Sequence, residues 1–156
     1  MFLMKIFLII LIIFAFALIG LIFYLNYNSK KKLYKSLIGF CNYSLLEIRF
    51  NKSNFLKIIE KYMKSCCLEA KNFLKSYIDK NSYTSKILQK EENYEIQNFI
   101  LSLGKKDIDG EVSNLKNFKS LFEIKLKKAE DDEKKKGVPS LKVFIILGLI
   151  IAIILV

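Results

Sequence analysis

The sequence predicts an all-α protein, a helical bundle domain held between an N-terminal and a C-terminal transmembrane helix. Three observations predict it. Residues 6–25 are an unbroken apolar run without a charge. Between Lys30 and Leu103 no proline and only one glycine, Gly39, interrupts the chain, which favours helices over a meander of turns. Between residues 110 and 136, Val112, Leu115, Phe118, Phe122, Leu126 and Ala129 recur three and four apart, the period of one helix face.

The first run is long enough to cross a bilayer. At a rise of ~1.5 Å per residue, about 20 helical residues span ~30 Å of hydrocarbon. A cleaved signal peptide competes with this reading, because Ala15-Phe16-Ala17 has the small-x-small form. The apolar run continues past Ala17, however, and then meets Lys30, Lys31, Lys32 and Lys35. That order is expected of a retained anchor whose C-terminal flank is cytoplasmic. The second run, residues 138–156, includes Lys142, whose long stem lets its amine reach the headgroups. It is apolar on every face, which favours a span over a helix lying in the interface. Within it Gly148 and Ala152 form a small-xxx-small pair that would let another helix approach.

Lysines crowd the inner flanks of both runs, with Lys134, Lys135 and Lys136 before the second and Lys142 near its start. The bias predicts a cell-membrane protein with two passes and a cytoplasmic central domain, residues 26–137. Cys41, Cys66 and Cys67 all fall in that domain. An odd number with one adjacent pair makes no disulfide framework and suits a reducing compartment.

Within the domain, a first helix is expected over residues 29–50, able to continue the first span. A turn at Asn51-Lys52-Ser53 leads to a second helix bearing Phe55, Ile58, Ile59 and Tyr62, capped by Ser53 or Asn54. A third follows over residues 68–78. Residues 80–91 are polar, with at most a short helix near Ile87. A fourth covers residues 92–103 and ends on Gly104 as a left-handed cap. Asp107 or Asp109 caps the longest helix, residues 110–136, whose acid-then-lysine end from Glu130 to Lys136 reads as a solvated face.

The chemistry is bounded by absences. The chain has 156 residues, 26 basic and 15 acidic, with no histidine and a formal charge of +11. The usual general base and metal ligand are therefore missing. Gly104-Lys105-Lys106 lacks the upstream glycine of a phosphate loop, where Phe99 stands. The vicinal Cys66-Cys67 pair is read as packing. No enzyme activity, cofactor or metal is expected. Scattered lysines without a motif make no nucleic-acid site, and those beside the spans suit topology and anionic lipid. Arg49 is the lone arginine among 25 lysines, as though a planar fork were needed there.

Together, Leu46-Glu47-Ile48-Arg49-Phe50, Leu103-Gly104-Lys105-Lys106-Asp107 and a long helix leading into a glycine-containing terminal run resemble the stage III sporulation protein AB family. Lys106 stands where that family usually has Ser or Thr, and Glu111 where it usually has Gln. The resemblance implies a component of the secretion-like channel complex between mother cell and forespore. It implies a helical domain similar to that of type II secretion platform proteins, facing the mother-cell cytoplasm at the outer forespore membrane. The implied partners are an ATPase similar to stage III sporulation protein AA and other membrane proteins of the channel. Glu47, Arg49, Gly104 and Asp107 occupy the family's recurrent positions, as candidate interaction or structural residues. The alternative is a stand-alone membrane-surface or septal scaffold whose basic helices lie on anionic lipid. A platform buries Phe118 and Phe122, whereas a lipid binder leaves them exposed.

Overall fold

The computed structural model describes residues 2–51 and 54–154, with side chains described over 6–50 and 54–154. The suggested cap Ser53 and the last two residues of the second apolar run lie outside these. Helix α1 (Phe2–Leu46) passes into a π turn (Glu47–Asn51). Helices α2 (Phe55–Tyr62), α3 (Leu68–Asp79), α4 (Lys90–Ser102) and α5 (Ile108–Asp132) follow. A second π turn (Glu133–Gly137) joins α5 to α6 (Val138–Ile154). No strand occurs among the described residues.

Several boundaries differ from expectation for local reasons. The helix expected to end near Phe50 changes to the wider π spacing at Glu47, and the one expected to reach Lys136 does so at Glu133. Composition does not encode a one-residue slip in hydrogen bonding. No helix forms near Ile87. Asn93 instead holds that loop, taking the Ser85 N–H at 2.7 Å and donating to the Ser85 and Leu88 carbonyls. Glu133, expected in solvent, is buried, while Asp132 and Lys136 pair at 2.7 Å.

The chain forms two compact units. One combines residues up to Asn28 with those from Ala129 onward. In it α6 lies against the first part of α1. The rings of Phe23 and Phe144 stack with centroids 5.6 Å apart. A Cβ on Gly20 would come within 3.1 Å of the Phe144 Cβ, and one on Gly148 within 3.1 Å of the Phe16 Cβ. Gly148 and Ala152 are buried there. Small residues thus set the approach of the helices, as in lipid, where close packing replaces the hydrophobic effect. The remaining large apolar side chains, among them Phe7, Phe14, Ile22, Ile146 and Ile153, face outward. Among the described residues, two continuous helices, Ile6–Phe50 and Ile108–Ile154, are long and apolar enough to cross a membrane.

The other unit, Ser29–Lys128, has an aromatic core. Phe99 is fully buried, with ring centroids 4.9 Å from Phe118, 5.2 Å from Phe122 and 6.1 Å from Phe40. Leu33, Leu37 and Cys41 are buried along α1. Gly39 lets α2 close in, because a Cβ there would meet the Tyr62 hydroxyl. That hydroxyl donates to the Ser36 carbonyl at 2.8 Å.

One polar hub crosses this core. Glu92 on α4 is buried and pairs with the Lys30 Nζ at 2.7 Å. It also accepts the Tyr34 hydroxyl at 3.2 Å and the Gln89 N–H at 3.0 Å. The last contact completes a capping box that starts α4. Burial favours the neutral acid, but the Lys30 ammonium and the other donors outweigh it and hold the carboxyl below its ordinary range.

Candidate docking surface

The four residues proposed from the sequence fall at one end of the helical unit, on two neighbouring segments. The first is the π turn that closes α1. Glu47 is buried, its Oε1 accepting the Tyr43 hydroxyl at 3.0 Å and lying 3.7 Å from the Lys61 Nζ. It therefore ties α1 to α2. Arg49 is exposed and makes no ion pair among the described residues. With Asn42, Leu45, Leu46 and Phe50 it lines a shallow concavity. Phe50 is 79% exposed and Leu46 58%, so the rim is apolar around one guanidinium.

The second segment links α4 to α5. Gly104 has φ +73°, and a Cβ there would lie 3.2 Å from the Tyr77 Oη and 3.4 Å from the Phe55 Cδ2. Both the backbone and the close approach require glycine. The Tyr77 hydroxyl donates to the Leu103 carbonyl at 3.3 Å. Asp107 starts α5: its carbonyl accepts the Glu111 N–H at 2.8 Å and its Oδ1 accepts the Gly110 N–H at 3.2 Å. Asp109 lies within the first turn instead.

Glu111 holds the same loop from inside α5. Its Oε1 accepts the Lys105 and Lys106 N–H groups at 2.9 and 3.0 Å. Asn114 adds a bond to the Ser102 Oγ at 2.9 Å. The loop is therefore locked from α5. The signal was present as an acid four residues after the capping aspartate, one longer than the usual capping box. A cavity of about 220 Å³ joins the two segments, lined by Ile48, Asn54, Phe55, Gly104, Lys106, Ile108 and Glu111.

The cysteines differ in setting. Burial pushes the Cys41 thiol up to about 12. Cys66 and Cys67 are free and half-buried. Burial, then the neighbouring Cys67, also raises the Cys66 thiol. No cluster able to hold a metal occurs among the described residues.

A family model described as stage III sporulation protein AB matches residues 53–156 of the 156-residue chain. The chain belongs to the stage III sporulation protein AB family. The matched region holds Gly104, Asp107, Gly148 and Ala152 and begins after the π turn that carries Glu47 and Arg49. Membership makes this a stage III sporulation protein, with two helices able to cross a membrane around an all-helical unit. No curated protein and no solved structure matches the chain.

Proposed function

We propose that this member of the stage III sporulation protein AB family is a non-enzymatic membrane platform of the sporulation channel complex. Its helical unit faces the cytoplasm and docks a partner ATPase similar to stage III sporulation protein AA. The observation that carries this reading over a lipid-binding scaffold is the fate of the α5 stripe. Phe122 is 1% exposed, Phe118 is half-buried against Phe99, and Leu115 and Ala129 are buried. An interfacial helix needs that stripe free to enter the headgroups. A docking module instead uses it to build a rigid body and presents other groups to its partner. The lysines flanking both apolar runs favour a cytoplasmic placement for the unit between them.

Co-sedimentation tests it. Full chain reconstituted in neutral-lipid vesicles should carry the purified ATPase into the pellet, and empty vesicles should not. An ATPase that stays in the supernatant with both would remove the docking reading. Vesicle-free protein that instead pellets with anionic liposomes, in a salt-sensitive manner, would favour the scaffold.

A further inference from the structure

The cavity beside the π turn is lined by an acceptor that has no donor among the described residues. Glu111 is 3% exposed. Its Oε1 is satisfied by two backbone N–H groups, but its Oε2 is buried with no hydrogen-bond partner among the described residues. A buried carboxylate oxygen left unpaired is costly, which makes the site a receptor for a positively charged donor. The walls are Ile48, Phe55 and Ile108, so the cation should arrive on an apolar stem. Lys106 also lines the cavity, but its Nζ is held 3.4 Å from the Asn114 Oδ1.

The π turn beside the cavity presents a donor with no ion-pair acceptor among the described residues. Arg49 follows the cavity wall residue Ile48 in sequence, yet it lines the separate concavity with Asn42, Leu45, Leu46 and Phe50. It makes no ion pair among the described residues. Around the two sites Leu46, Phe50 and Ile108 are exposed. A patch that carries both halves of one interaction, each unmatched among the described residues, is self-complementary. A two-fold axis then lets residue i meet residue j′ while j meets i′.

We propose that this end of the helical unit is an interface with a second copy of the chain, in which Arg49 of each copy enters the other's cavity and binds Glu111. The three-carbon stem packs between Phe55 and the two isoleucines, and the guanidinium donates to Oε2. Phe50 and Leu46 cover the pair and exclude water. A lysine presents a single ammonium where the fork presents five donors, which accounts for the one arginine among 25 lysines. The inference goes beyond ATPase docking and does not rest on it.

The test is sedimentation of the full chain in mild detergent over a concentration series. Wild type should show a monomer–dimer equilibrium. Arg49→Ala, at an exposed position, should raise the dissociation constant at least roughly tenfold. Glu111→Gln keeps the oxygen that caps the loop and should weaken association to a similar degree. The double variant should be no weaker than either single variant, since both remove one contact. Thermal melting checks that each variant is folded. A wild type that is monomeric throughout, a dimer indifferent to Arg49→Ala, or losses that multiply in the double variant would each overturn the proposal.

Discussion

Replacing Glu92 with alanine removes three contacts at once. The Tyr34 hydroxyl, on a residue 1% exposed, loses its carboxylate acceptor. A buried hydroxyl left unsatisfied costs about 1–3 kcal/mol. The Gln89 N–H loses its capping acceptor, worth about 1 kcal/mol. The Lys30 side chain is 18% exposed, so its pair is partly screened and counts for about 1 kcal/mol. The sum is about 3–5 kcal/mol, a large share of the stability of a unit this size. Glu92→Gln keeps an oxygen for one donor and should cost about half as much. The assay is denaturant unfolding of the full chain in mild detergent, followed by near-ultraviolet tyrosine dichroism. The pH dependence adds a sign. The folded carboxyl titrates below its ordinary value. Its contribution is therefore complete above the unfolded pKa of ~4.3 and is lost as pH falls through the lower folded value. The gap between wild type and Glu92→Gln should close over that acidic window. An Ala variant within 1 kcal/mol of wild type at neutral pH, or a gap constant down to strong acid, would refute the reasoning.

Three further outcomes follow from the same packing. Gly104→Ala should destabilise by about 1–2 kcal/mol, since it places a Cβ on a positive-φ residue 3.2 Å from the Tyr77 Oη; thermal melting reads it. Phe99→Ala removes the ring at the centre of the aromatic cluster and should cost about 3–5 kcal/mol by denaturant titration. Cys41 is buried with its thiol pushed up to about 12, so at neutral pH almost none is thiolate. Under native conditions maleimide should modify Cys66 and Cys67 while Cys41 reacts only after unfolding, as peptide mass mapping would show.

The sequence carried the features that depend on hydrophobic period and backbone chemistry. The α5 stripe, the glycine at a positive φ and the aspartate at the start of α5 follow from local rules, and the structure places Phe122, Gly104 and Asp107 accordingly. Asn54, one of two suggested caps, accepts the Leu56 N–H. Other features rest on contacts far apart in sequence. Glu92 meets Lys30 across 62 positions, and no pattern in either segment announces it. Asn93 looks like an ordinary polar helix residue until the loop before it folds back. The π turns are slips in hydrogen bonding that no side chain marks. Glu111 lay between these cases, visible as an acid near a cap but at an unfamiliar spacing.

The central claim is that the helical unit lies where a cytoplasmic ATPase can reach it. The most direct measurement is two-step maleimide labelling of intact, non-sporulating cells that express the full chain. Cells are treated with a membrane-impermeant reagent, quenched, denatured and treated with a second reagent. Cys66 and Cys67, half-exposed in the native unit, report the outcome. The account predicts that only the second reagent reaches them. Labelling by the first reagent would put the unit outside the cell and contradict the platform reading.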